Sequence, residues 1–202
     1  MKEWLWIGGW GLSAEMQQQV FAARWPEFEH TVLYPGKLCI AKLKTLLEAG
    51  DVKRLGGYSL GALLLLREQA NLPKLPTMLL APILDFKAEA LKGGRVDGRR
   101  LSVLLRWLLR DPIDALNDFY QTAGLKASVD VMPPYDVDDL IWGIEQLAAP
   151  GVDYWRWEHV HACLGERDAL LDAAQLQQLW PELVILPDAG HDFSELLEEV
   201  AI

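Results

Sequence analysis

The sequence predicts an α/β fold, a mostly parallel β-sheet flanked by helices, with a block of helices inserted late in the order. Three observations predict it. Short apolar runs alternate with helical patterns in both outer parts of the chain, and a parallel sheet needs such alternation because each strand must return through a crossover. Gly and Pro mark most changes of pattern, as residues that stop one element before the next begins. From about Phe86 to Ala149 the alternation gives way to irregular helical patterning, and it then resumes.

Trp4-Leu5-Trp6-Ile7 is a short buried strand, broken by Gly8-Gly9-Trp10-Gly11. Ser13 caps a helix from Ala14 to about Arg24, where Met16, Val20 and Phe21 recur at helical spacing. Thr31–Tyr34 is a strand ended by Pro35-Gly36, and a short helix covers about Ile40–Leu47. Lys53–Gly57 is a strand leading to Ser59, and Leu60–Ala70 continues as an apolar helix. Thr77–Leu80 is the fourth strand. The helical block is broken at Gly93-Gly94, Pro112, Gly124 and Pro133-Pro134. Beyond it lie a strand at Trp157–Leu164, a helix at Ala173–Trp180, a strand at Leu183–Leu186 and a last helix at Phe193–Val200. Residues 1–85 and 150–202 are therefore expected to form one core, and residues 86–149 a helical cap.

With 202 residues, 51% of them hydrophobic, the chain can bury a sizeable core. No apolar run approaches the ~20 residues of a membrane span. Met1-Lys2-Glu3-Trp4 runs straight into a strand with no signal-peptide pattern. Cys39 and Cys163 are the two cysteines and make no C-x-x-C. Two reduced, buried thiols in a cytoplasmic protein are expected. The net charge of −10 argues against binding nucleic acid, whose phosphates would repel it.

Ser59 sits in Gly57-Tyr58-Ser59-Leu60-Gly61, between a strand end and a helix start. A tight strand-to-helix turn lifts such a serine above the sheet, and the flanking glycines let the backbone bend without Cβ clashes. A hydroxyl is a poor nucleophile until a base takes its proton. Four histidines compete for that role. His191 lies between the last strand and the last helix, on the carboxyl edge where Ser59 also falls. His159 and His161 are expected to share one face of a strand and lack a clear third metal ligand, so they are read as packing residues. His30 is placed just before a strand, at the opposite edge. A carboxylate must orient the imidazole. Asp168 follows the strand containing His161 and gives the order Ser, Asp, His. Asp85 is its competitor and Glu166 a weaker one. Backbone N–H groups of Leu60 and Trp10 are the expected oxyanion donors.

These residues resemble the α/β-hydrolase superfamily over nearly the full length. That family usually begins with two more strands, so the resemblance implies an N-terminally trimmed member. Gly9-Trp10-Gly11-Leu12-Ser13-Ala14-Glu15 is similar to the start of the pimeloyl-acyl-carrier-protein methyl ester esterases of biotin synthesis. Phe119-Tyr120-Gln121-Thr122 resembles part of their cap, Asp136–Leu147 the helix leaving it, and Leu179-Trp180-Pro181 the approach to the last strand. The resemblance implies Ser59, Asp168 and His191 as triad and the Trp10 and Leu60 amides as oxyanion hole. Two motifs depart from it: the usual H-G before the tryptophan is Gly8-Gly9, and D-x-P-G-x-G-x-S is reduced to Leu33-Tyr34-Pro35-Gly36-Lys37.

The cap segment carries a further clue. Residues 87–110 hold seven basic and two acidic residues, a net of +5 in an acidic chain. At 100° per residue Arg99, Arg106 and Arg110 fall in one narrow arc opposite the leucines. Such a face suits an acidic partner, and an acyl-carrier protein is one. Phe119, Tyr120, Trp107 and Tyr135 are candidates for lining an acyl channel. The expected activity is carboxylic ester hydrolysis with no metal or organic cofactor, by a monomer, on a carrier-linked methyl ester. The alternatives are a thioesterase, a small-ester carboxylesterase, or a catalytically silent binding module.

Overall fold

In the computed structural model, which describes residues 2–153 and 158–200, six strands alternate with helices. The strands are β1 (Lys2–Ile7), β2 (Phe28–Leu33), β3 (Val52–Tyr58), β4 (Thr77–Leu80), β5 (Val160–Gly165) and β6 (Val184–Leu186). They form one sheet in the order β2-β1-β3-β4-β5-β6, every pair parallel. Helix α1 (Ala14–Arg24) joins β1 to β2, α2 (Cys39–Glu48) joins β2 to β3, and α3 (Leu60–Glu68) leads from β3 towards β4. Among the described residues, three α-helices stand between β4 and β5: α4 (Gly98–Arg110), α5 (Pro112–Ala123) and α6 (Val137–Ala148). Helices α7 (Ala173–Leu179) and α8 (Phe193–Glu199) flank β6 in sequence. Among the described residues, no helix is long and apolar enough to cross a membrane.

The central strands are buried on both faces, as a parallel sheet covered by helices demands. Trp4, Leu5, Trp6 and Ile7 of β1 and all four residues of β4 are buried. Trp6 stacks on Phe21 of α1 with ring centroids 4.1 Å apart, and Trp4 on Trp25 at 4.7 Å. Helix α3 is apolar all round, with Leu60 through Leu66 buried without a break, and it packs against β3 and α6. Such a helix belongs inside the protein. Both cysteines are free and buried, and burial pushes Cys39 to about 11 and Cys163 to about 12.

Two histidines depart from the sequence expectation. His30 lies within β2, not before it. Its ring is buried because two partners satisfy it: Trp6 Nε1 donates to Nδ1 at 3.1 Å, and Nε2 donates to the Trp25 carbonyl at 3.0 Å. His159 lies in a turn at φ +63°, and β5 begins only at Val160, so His159 and His161 do not share a strand face. Trp157, the expected start of this strand, lies outside the described residues.

Burial holds His30 below its ordinary value of 6.5 in the folded chain. The unfolded chain therefore binds the extra proton as pH falls past 6.5. Stability from the neutral ring is complete above that value and is lost below it. The melting temperature is expected to be lower at pH 5.0 than at pH 7.5, and His30→Gln to shrink that difference. An equal difference in both proteins would contradict this role.

Candidate active site

Strand order reverses direction between β1 and β3, which makes their carboxyl ends the switch point of the sheet. Ile7 pairs with Gly57, so the loop after β1 and the turn after β3 leave the sheet side by side. Ser59 occupies that turn at φ 54° and ψ −114°, a backbone that costs a non-glycine residue about 1–3 kcal/mol. Its N–H donates to the Leu80 carbonyl at 2.9 Å, and its carbonyl accepts from Leu63 N–H at 3.1 Å. The glycines of the motif are there for close approach. A Cβ on Gly61 would lie 2.0 Å from the Ile7 carbonyl oxygen, and one on Gly57 would lie 2.8 Å from Ala62 Cα.

Ser59, His191 and Asp168 come together from the ends of β3, β6 and β5. His191 Nε2 lies 3.0 Å from Ser59 Oγ, and His191 Nδ1 lies 2.7 Å from Asp168 Oδ2. With a neutral ring, Nδ1–H donates to the carboxylate and Nε2 is left to accept the serine proton. The other oxygen, Oδ1, accepts from Leu170 N–H at 2.8 Å and Leu171 N–H at 2.9 Å. Both Asp168 oxygens are thereby fixed, and all three side chains are buried. Asp85 is engaged elsewhere, accepting from Lys87 N–H and Gly151 N–H. Glu166 is exposed.

Right after β1, three of the four amides from Gly8 to Gly11 are occupied. Gly8 N–H donates to the Leu33 carbonyl at 2.9 Å, Gly9 N–H to Gln17 Oε1 at 3.0 Å, and Gly11 N–H to Tyr135 Oη at 2.6 Å. Among the described residues, Trp10 N–H has no protein acceptor, and neither has Leu60 N–H at the start of α3. Two open amides beside a serine hydroxyl are what a developing oxyanion needs. The Trp10 side chain is core, as its indole N–H donates to the Leu140 carbonyl at 2.8 Å.

No family model matches the sequence, and no curated protein does. Solved structures do. An esterase from Exiguobacterium antarcticum matches 95% of this chain and 85% of its own at a TM-score of 0.67 and 12% identity. A hydrolase from Oleispira antarctica matches 98% and 86% at 0.65 and 12%. A thermophilic esterase from Thermogutta terrifontis matches 98% and 85% at 0.62 and 16%. The chain has the α/β-hydrolase fold. At these identities the likeness is one of fold.

In this hydrolase fold, α4 and α5 border a cavity of about 370 Å³ lined mainly by hydrophobic side chains such as Leu101, Trp107, Phe119 and Leu170, with Arg100 and Asp118 also on its wall. Phe119 meets the Trp10 ring edge-on at 4.7 Å, and Leu170 follows Asp168 by two residues, so the cavity adjoins the site. Ser59 itself does not line it. Tyr120 does not line it either, contrary to expectation: this buried phenol turns to the loop after β1 and donates to the Gly11 carbonyl. Arg99, Arg106 and Arg110 are exposed on α4, opposite the buried Leu101 and Leu108. Among the described residues, none of the three is within ion-pair distance of a carboxylate.

Three contacts escaped the sequence reading. Tyr58 Oη donates to the His191 carbonyl at 2.8 Å and anchors that loop. Gln17 is fully buried and holds Gly9. A polar residue four before Phe21 on the core face of α1 was the available signal. Asp192 accepts from Lys126 N–H at 2.7 Å, tying the loop after α5 to the His191 loop.

Proposed function

We propose that this chain is a serine hydrolase that cleaves carboxylic esters through an acyl-enzyme. The observation that carries this reading is the hydrogen-bonded line from Ser59 through His191 to Asp168, starting at a strained turn. His191 Nε2 takes the serine proton as Oγ attacks the carbonyl carbon. Charge develops on the carbonyl oxygen, towards the open N–H groups of Trp10 and Leu60; removing one such donor typically costs about 10²–10³ in rate. The C–O bond to the alcohol breaks as His191 returns the proton to the leaving oxygen. Water then gives a proton to His191 and attacks the acyl carbon, and the acid leaves as Ser59 regains its hydrogen. Asp168 holds the ring in the required tautomer and stabilises the imidazolium.

The favoured substrate is a pimeloyl-acyl-carrier-protein methyl ester, the ester cleaved in biotin synthesis. Its support is the Gly9–Glu15 segment, the cavity between α4 and α5 with its mainly hydrophobic lining, and the exposed basic stripe on α4. A carrier protein is acidic and would dock there while its acyl chain enters. Hydrolysis of short p-nitrophenyl esters and of the carrier-linked methyl ester, measured side by side, tests both levels. Turnover of both supports the full reading. Turnover of small esters alone assigns a general carboxylesterase, and turnover of neither, by folded protein, removes the enzyme reading. Charge reversal at Arg106 and Arg110 is expected to lower kcat/KM about tenfold on the carrier-linked ester, since each rim charge is worth up to ~1 kcal/mol. Small esters should be spared, and equal loss on both would contradict docking.

A further inference from the structure

We propose that Tyr120 and Tyr135 are positioning residues that hold the loop after β1 so that Trp10 N–H faces the reacting carbonyl. The inference rests on the hydrolase reading above. Its basis is the pattern of bonds around one peptide unit. Gly11 has φ +75°, and a Cβ there would lie 2.9 Å from Leu116 Cδ2. Its N–H donates to Tyr135 Oη and its carbonyl accepts from Tyr120 Oη, so both polar ends of this residue are held by phenols. On the other side, Gln17 holds Gly9 N–H. The peptide that carries Trp10 N–H is therefore fixed from both flanks, while its own donor meets no acceptor among the described residues.

The anchors come from the helices inserted between β4 and β5. Tyr120 is on α5, Tyr135 precedes α6, and Leu140 of α6 accepts the Trp10 indole N–H. Burial raises Tyr120 to about 12 and Tyr135 further, so both phenols stay protonated at working pH. A Phe at either position keeps the ring and deletes one bond. The Gly11 peptide can then rotate, and the Trp10 donor loses its aim. Preorganised donors act because they need no reorientation during the reaction, so the loss falls on the transition state and not on substrate binding.

Tyr120→Phe and Tyr135→Phe are the test, on p-nitrophenyl butyrate and on an aryl trifluoromethyl ketone, which forms a tetrahedral oxyanion adduct with an active serine. Each variant is expected to lose about 10- to 100-fold in kcat, with KM within about twofold. The inhibition constant for the ketone should rise in parallel with the loss of kcat. A lower melting temperature with kcat and ketone affinity unchanged would overturn the proposal and leave the tyrosines as packing. Should neither variant fold, amide exchange in the wild type decides. Gly11 N–H, closed off by Tyr135, should exchange more slowly than the open Trp10 N–H, and equal rates overturn the clamp. An inactive wild type speaks against the hydrolase reading, whereas an active one with unaltered variants overturns the clamp alone.

Discussion

Asp168→Asn is expected to lower kcat for ester hydrolysis by about 10⁴-fold while the protein stays folded. The reason is the direction of three hydrogen bonds. Leu170 and Leu171 N–H both donate to Oδ1, and His191 Nδ1–H donates to Oδ2. An asparagine must turn its carbonyl oxygen to the two backbone donors, which places its NH2 against Nδ1. That nitrogen then becomes the acceptor, and the ring proton moves to Nε2. Nε2 faces Ser59 Oγ as a donor and can no longer take the proton. Steady-state kinetics at pH 7.5, with circular dichroism to verify the fold, measure the effect. A loss under tenfold would mean that Asp168 does not set the tautomer.

Gly61→Ala should be among the most damaging glycine-to-alanine changes in the described residues. Its Cβ would sit 2.0 Å from the Ile7 oxygen, 2.6 Å from the Ile7 carbon and 2.7 Å from the Gly8 oxygen. All three are backbone atoms at the joint between β1 and the loop after it, so no rotamer can relieve the clash. A loss above about 4 kcal/mol is expected, seen as a collapsed urea midpoint or as insoluble protein. Gly98→Ala is the control, because its new Cβ would meet nothing nearer than 3.8 Å. Equal stability of the two variants would contradict the close approach of α3 to β1.

Both expectations come from parts of the molecule that short-range chemistry makes readable. The Ser59 turn is local: glycine, serine and glycine at fixed spacing between a strand and a helix. Alternation places the 168 and 191 loops on the same edge as Ser59, because every crossover in a parallel sheet returns to it. The basic stripe of α4 follows from the 100° period, and the buried Leu101 and Leu108 lie where that period puts them.

What was not legible depends on which side chain reaches which distant backbone group. Tyr120 and Gly11 are 109 residues apart, and Tyr135 and Gly11 are 124 apart. An aromatic residue in an apolar helical segment reads as lining or core, and its hydroxyl's partner leaves no local trace. His30 shows the same limit. A histidine on the buried side of the edge strand β2 looks misplaced until Trp6 and Trp25 satisfy both ring nitrogens. His159 shows the opposite error: the strand expected from Trp157 to Leu164 includes it, but its backbone turns at φ +63° and β5 begins one residue later.

The central claim is that Ser59 Oγ is an activated nucleophile. Incubation with a fluorophosphonate, followed by peptide mass mapping, tests it most directly. The account predicts one adduct, on the peptide containing Ser59, absent in Ser59→Ala and formed far more slowly in His191→Ala. A folded wild type that takes up no label, or takes it up at another residue, would contradict it.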